Sequence, residues 1–121
     1  MPAVDQYLTG VSEFDAGLMW GALSAGEIKT REARGGSLAA LQRELDEVKQ
    51  RGVRYERAEL LAAYPLRSGE TYLFYALSRR GFAGPERLDR VSLVFTVDGS
   101  GKIADVSWNR PEDLRPPAYR R

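Results

Sequence analysis

Three of the 17 acidic residues are the best isolated candidates for acid–base chemistry: Asp15, Glu59 and Asp105. Glu59 stands in the apolar stretch 58–63, where burial would raise the pKa of a carboxyl group and suit it to general acid or base catalysis. The structural interpretation is an edge or rim position paired with an arginine such as Arg57 or Arg79, because carboxylates are seldom buried without a partner.

For the other two carboxylates, the sequence indicates an ordinary structural position instead of a catalytic role. Asp15 follows Ser12 at the spacing of a capping box, so it is expected to be an acid at the positive start of a helix. Asp105 alternates with Ile103 and Ser107, which indicates the exposed face of a strand. Nothing in the linear sequence shows that the three carboxylates converge. We therefore assign no catalytic residue and keep all three as candidates.

The missing residue types exclude several classes of chemistry. The chain has no Cys and no His, which excludes disulfides, thiolate zinc sites, iron–sulfur clusters and His-based catalytic triads. The sequence contains no phosphate-binding loop, dinucleotide fingerprint or metal-ligand motif, so we predict no metal and no cofactor. With 18 Lys and Arg against 17 Asp and Glu, the chain lacks the basic excess typical of nucleic-acid binders.

Aromatic side chains are the second set that could build a site. We predict that eight of them line an apolar pocket for a small molecule: Tyr7, Phe14, Trp20, Tyr55, Tyr72, Phe74, Phe95 and Trp108. The alternative for each of them is ordinary packing in a core or an interface. A basic loop around Arg79 and Arg80 could meet an anionic ligand, although Glu86 and Asp89 are close enough in sequence to neutralise it.

Helices are predicted in the first half of the chain. Apolar residues spaced by three and four indicate two amphipathic helices, at about 2–10 and 13–24, joined by a kink at Gly10. The polar segment 25–36 is either a helical extension or a short strand. Ser37 then caps a clear helix that ends at Gly52, the expected place for a left-handed C-terminal residue.

Strands are predicted in the second half. The segment 53–64 alternates partially, and 71–79 is a central strand, because it is apolar on both faces. The segments 91–97 and 102–108 flank a tight turn and should pair as a hairpin. Helices followed by hairpin-linked strands indicate an α+β domain over 1–109 with the helices on one sheet face. The Pro- and Arg-rich residues 110–121 form a tail outside it.

At fold level the sequence resembles the nuclear transport factor 2-like superfamily, which includes ketosteroid isomerase and polyketide-cyclase-like proteins. The segments that carry the resemblance are Tyr7–Gly10, Asp15–Ser24, Leu38–Gly52, Gly69–Tyr75, Val94–Asp98 and Gly101–Val106. A three-strand fold like that of the small lipoproteins of outer-membrane assembly also fits the closing hairpin, but it explains the long helix and the fourth strand less well.

The resemblance implies a strongly curved antiparallel sheet, cone-shaped and cystatin-like, and a homodimer through the outer sheet face. It does not carry the ketosteroid isomerase mechanism. Tyr7 matches the helix tyrosine by position, but only Glu27 and Glu32 could supply the base, and the long strands hold no acid for the enolate. We expect a non-catalytic domain that binds a small apolar ligand or associates with protein. The alternative is an isomerase, cyclase or hydrolase with a pocket carboxylate as acid or base.

The sequence also suggests where the protein is found. No apolar run approaches the ~20 residues that a membrane-spanning helix needs, and the N-terminus lacks the pattern of a signal peptide. We therefore expect a soluble protein, cytoplasmic by default, and secreted or anchored if a further segment precedes Met1. Arginine supplies 15 of the 18 basic residues, which points to a GC-rich bacterial genome.

Overall fold

Helices come first and strands follow in the computed structural model, which describes residues 1–109. The predicted tail at 110–121 lies outside the described residues. The helices are α1 Pro2–Glu13, α2 Ala16–Gly21, α3 Ala25–Ala33 and α4 Leu38–Gln50, and the strands are β1 Arg54–Pro65, β2 Thr71–Arg80, β3 Leu88–Val97 and β4 Ile103–Asn109. This order confirms the predicted α+β class, with N-terminal helices packed on a curved antiparallel sheet.

The break between the first two helices lies four residues later than predicted. Helix α1 runs through Gly10, so a kink at that position is wrong. Phe14 ends the helix in the left-handed region, at φ 55° and ψ 43°. Asp15 then caps α2, because its carboxylate accepts a hydrogen bond from the Leu18 amide. The predicted cap at Ser12 is also wrong, since that hydroxyl donates to a carbonyl within α1.

A side chain from α4 holds this break in place. The Gln42 amide nitrogen donates to the Phe14 carbonyl at 2.8 Å, and its oxygen accepts from the Ala16 amide at 2.9 Å. One amide thus satisfies a carbonyl at the end of α1 and an N–H at the start of α2, groups that helix ends otherwise leave unpaired.

The second helix also ends earlier than predicted, because the backbone bonds to the sheet. The Ile103 amide donates to the Ala22 carbonyl at 3.1 Å, and the Ser24 amide donates to the Ile103 carbonyl at 2.8 Å. Ser24 then caps α3, its hydroxyl accepting from the Glu27 amide. The polar segment that was predicted as a helical extension or a strand is therefore a separate helix.

The sheet is a four-stranded antiparallel meander in the order β1-β2-β3-β4, with β2 in the interior as predicted. Residues Leu73, Tyr75 and Leu77 are buried against the helices. By alternation, Tyr72 and Phe74 face the opposite side. We call these the inner and outer faces.

The sheet is concave toward the helices. Strands β1 and β4 are separated by two other strands, a spacing of roughly 14 Å in a flat sheet. Nevertheless, the Tyr55 ring on β1 lies 6.0 Å from the Trp108 ring on β4, centroid to centroid. The curvature brings both ends of the meander over one concave inner face.

Apolar residues from the helices fill this concave face. Val4, Tyr7 and Val11 of α1 pack with Leu93 and Phe95 of β3 in one buried cluster. Within residues 1–109, no helix has the length and apolar character needed to cross a membrane.

Candidate functional site

A continuous series of aromatic rings crosses the concave inner face, and we call it the aromatic row. Its members are, in spatial order, Phe14, Tyr55, Trp108, Tyr7, Phe95 and Tyr75. Neighbouring ring centroids lie between 5.3 and 6.0 Å apart, except where the Trp108 Nε1 donates to the Tyr7 hydroxyl at 3.3 Å. These are the edge-on and tilted geometries that aromatic pairs prefer.

The two ends of the aromatic row differ in solvent exposure. Tyr7 and Phe95 are fully buried and close the deep end with protein side chains. Trp108 is 38% exposed, and Phe14 and Tyr55 are half-buried. We call these three residues the aromatic mouth, since they are the part of the row that an incoming molecule could touch.

A polar group lies behind the mouth, at the Tyr7 hydroxyl. Burial raises the pKa of the Tyr7 phenol above its usual value, and the hydrogen bond from Trp108 and the nearby Arg31 offset part of that rise. Arg31 is held by Glu27 at 3.3 Å, one helical turn earlier on α3. The phenol is therefore neutral at ordinary pH and is suited to hydrogen bonding.

A second charged group flanks the mouth on the sheet. Arg79 makes two hydrogen bonds of 2.8 Å to the Asp89 carboxylate, and its guanidinium stacks 3.7 Å from the Phe82 ring centroid. The hydrogen bonds from Arg79 lower the pKa of Asp89, so this carboxylate is ionised and paired. Burial raises the pKa of Tyr55, and the adjacent Arg79 opposes that rise.

The three carboxylate candidates do not come together. Asp15 caps α2 in the helical layer, and Asp105 is exposed on β4. Glu59 is exposed on the edge strand β1 and lies 3.9 Å from Arg90, which confirms the expected edge position beside an arginine, although the partner is neither Arg57 nor Arg79. Their register with Ala76 and Thr96 places Glu59 and Asp105 on the outer face of the sheet, and the curvature that joins the inner ends of β1 and β4 moves this face of the two strands apart.

Five of the eight predicted pocket aromatics belong to the aromatic row, and the other three lie elsewhere. Trp20 lines an open groove of about 290 Å³ between α3 and α4. Tyr72 and Phe74 stand on the outer sheet face. Within residues 1–109, no three acidic side chains are placed so that they could hold a metal ion.

Two ion pairs lie beside the mouth, and sequence reasoning missed the first of them. The Glu27–Arg31 pair has the i, i+4 spacing that helices favour, but it was hidden because α3 was not predicted as a separate helix. The Arg79–Asp89 pair follows from the β2–β3 register, which sets these residues directly opposite each other. The expectation that acids neutralise this basic loop is confirmed for Arg79.

The outer sheet face carries a group of apolar residues that the helices do not cover, and we call it the outer corner: Ala62, Tyr64, Tyr72, Phe74 and Val94. The strand register sets Tyr64 opposite Tyr72, and it aligns Ala62, Phe74 and Val94 across three strands. Tyr64 is 63% exposed. Exposed apolar patches of this kind often mark interaction sites.

No family model and no curated protein matches the chain. Among solved structures, the chain is similar to the crystal structure of the intermembrane space region of the chloroplast protein ARC6, with a TM-score of 0.44 and 16% sequence identity over 90% of this chain and 92% of that chain. At that TM-score the likeness assigns neither a family nor a function.

Proposed function

We propose that this protein is a non-catalytic association domain of the nuclear transport factor 2-like type, and that it forms a homodimer through the outer sheet face. The observation that carries the proposal is the contrast between the two faces. The deep inner face is filled by Tyr7, Phe95 and their neighbours, whereas the outer corner leaves aromatic side chains in contact with solvent.

The positions of the candidate acids also favour a non-catalytic role. A general acid or base must stand within hydrogen-bond reach of the reacting group. Among the described residues, Asp15 follows Phe14 of the aromatic mouth, but its carboxylate is used to cap α2. Glu59 and Asp105 are exposed on the outer face of the sheet. Glu27 and Asp89, which do lie beside the mouth, are each engaged by an arginine. The isomerase, cyclase or hydrolase alternative therefore has less support.

The homodimer predicts a specific effect of charge at the outer corner. Tyr72→Lys places an ammonium group among apolar residues, and we expect the dimer dissociation constant to rise by roughly tenfold or more, as for an interface hot spot. Light scattering after size exclusion measures the mass, and a dimer formed through the outer corner should have at least twice the 13.5 kDa of the chain. Leu38→Lys, on an exposed residue of the helical layer, is the matched control and should leave the mass unchanged. A wild-type protein that stays monomeric at high concentration, or a Tyr72→Lys protein with the same mass and dissociation constant as wild type, would contradict the proposal.

A second candidate function, binding of a small apolar ligand, is favoured by the partial exposure of Trp108 beside Tyr55. The chain has two tryptophans, so Trp20→Phe leaves Trp108 as the reporter. We expect the dye anilinonaphthalene sulfonate to quench that emission at a one-to-one ratio. Trp108→Phe should weaken dye binding about tenfold, the loss of roughly 1.4 kcal/mol. Dye binding that is equally strong in Trp108→Phe would count against this site.

A further inference from the structure

Strand β1 lies at one edge of the sheet and is exposed along most of its length. Every residue from Glu56 to Pro65 is exposed, and the apolar Leu60 and Leu61 are 51% and 55% exposed. An edge strand presents backbone N–H and carbonyl groups that a further strand can pair with. The edge of β1 is thus open to another chain, through backbone groups rather than through the side chains of the outer corner.

Two irregularities limit the part of β1 that can accept a further strand. The register with β2 shifts between Tyr55 and Arg57 and again between Leu60 and Ala62. Each shift leaves an extra residue, Glu56 or Leu61, that interrupts the ladder as a bulge does. The regular segment between them is 57–60, which has two charged residues of opposite sign.

We propose that the edge of β1 pairs in antiparallel fashion with the same edge of a second copy, about a two-fold axis at Ala58. In this register Arg57 of each copy lies directly opposite Glu59 of the other. Among the described residues, Arg57 has no carboxylate within 4.0 Å, and Glu59 reaches Arg90 only at 3.9 Å. Opposite charges across a strand pair stabilise it, and the symmetry provides the pair twice.

Neighbouring registers fit the charges less well. Side chains alternate between the two faces of a sheet. Residues of the two copies that lie opposite each other therefore share a face only if the two-fold axis passes through a residue, and not between two residues. An axis at Glu59 would set two like charges opposite each other, which is destabilising. An axis at Leu60 would place Ala62 and Ala58 opposite each other and leave both charges without partners.

The groove beside β1 also fits this register. It holds about 230 Å³ between α1 and β1 and is lined by Leu8, Thr9, Ser12, Tyr55, Glu56, Arg57, Ala58 and Leu77. With the axis at Ala58, Leu60 of the second copy lies just past the regular segment, beside the bulged residue Glu56. Leu60 pairs with the inward-facing Tyr75, so its side chain is on the inner face, where the groove opens. The second copy's Leu60 would therefore fill the groove and be removed from water.

Cross-linking tests the register, because the chain has no cysteine of its own. An antiparallel pair at the axis has a Cα separation of about 4.5–5.5 Å, within disulfide range. We expect Ala58→Cys to form a disulfide-linked dimer at least tenfold faster under mild oxidation than Ala63→Cys. Ala63 is also exposed on β1, but in this register the two copies of it lie roughly 33 Å apart. Equal cross-linking rates for the two variants would overturn the proposal.

A charge test uses the same cross-link. We expect Arg57→Glu and Glu59→Arg, each in the Ala58→Cys background, to cross-link at least fivefold more slowly alone, because like charges then face each other. Mixed together, the two variants should cross-link at close to the rate of Ala58→Cys, since both cross-chain pairs become complementary. No recovery in the mixture would overturn the assigned register. Circular dichroism checks that each variant is folded.

The edge contact and the outer-corner dimer can be told apart. Tyr72→Lys in the Ala58→Cys background should leave the cross-linking rate unchanged if the edge contact forms by itself. The two-fold axis of the edge contact is perpendicular to the sheet, whereas the two-fold axis of the outer-corner dimer lies parallel to the sheet. Both contacts are therefore compatible with one symmetric tetramer. An Ala58→Cys protein that is dimeric by light scattering but forms no disulfide cross-link would remove the edge proposal and leave the outer-corner dimer standing.

Discussion

Replacing Phe95 by alanine is expected to lower the free energy of unfolding by about 3–5 kcal/mol, the range for large-to-small changes at fully buried aromatics. Phe95 has no exposed surface, and its ring meets Tyr7 at 5.3 Å and Tyr75 at 5.6 Å, both edge-on. The substitution removes both aromatic contacts and leaves a cavity between helix α1 and the sheet. Urea denaturation followed by circular dichroism measures the loss.

The matched control is Phe82→Ala, which removes the same side chain from a site that is largely exposed. Phe82 stacks on Arg79, so we expect a loss of about 0.5–1 kcal/mol, the size of an exposed cation–π contact. The two variants separate burial from aromatic content. Similar losses for both would show that the deep end of the aromatic row is not packed as described.

Gly10→Ala is the second substitution with a large expected effect, and its sign is opposite to that of most helical glycines. Alanine usually stabilises a helix by about 1 kcal/mol relative to glycine. At Gly10, however, a Cβ would lie 2.7 Å from the Met19 Cγ and 2.8 Å from the Asp15 carbonyl oxygen. Helices α1 and α2 would have to move apart, and we expect a net loss of roughly 1–3 kcal/mol, as for overpacked cores.

Gly26→Ala is the control for this prediction. Gly26 is also helical, in α3, and a Cβ there would meet no atom within 4 Å. We expect that variant to be unchanged or more stable than wild type by up to about 1 kcal/mol. Thermal or urea unfolding of both variants decides the matter. A Gly10→Ala protein as stable as Gly26→Ala would exclude the close approach of α1 and α2.

Much of the fold could be predicted from local signals. Ser37 caps α4 as predicted, because its side chain and the helix it starts are neighbours in sequence. The interior position of β2 in the sheet also follows from composition, since an aromatic-rich apolar run without a breaker is typical of a strand with neighbours on both sides. The helices cover only one of its faces, however. The turn at Asp98 has a strong local signal as well, and the Asp98 carboxylate accepts hydrogen bonds from the Ser100 and Lys102 amides.

The candidate site was predictable in composition but only partly in geometry. Aromatic residues were expected to gather, and Tyr7, Phe14, Tyr55, Phe95 and Trp108 do so. The contact between Tyr55 and Trp108 joins residues from the first and last strands, and it depends on sheet curvature. Curvature accumulates from the twist of every strand, so no short segment of sequence encodes it.

The sequence by itself determined the class of the fold, the succession of helices before strands and the exclusion of cysteine and histidine chemistry, because each depends on residue type or on neighbours along the chain. Tertiary structure alone decided which face of β2 is inside. It also placed the helix break at Phe14, where Gln42 of a distant helix supplies the hydrogen bonds. Finally, it separated the carboxylate candidates. These features arise from contacts between residues far apart in sequence, and the spacing of residue types along a short segment gives no information about such contacts.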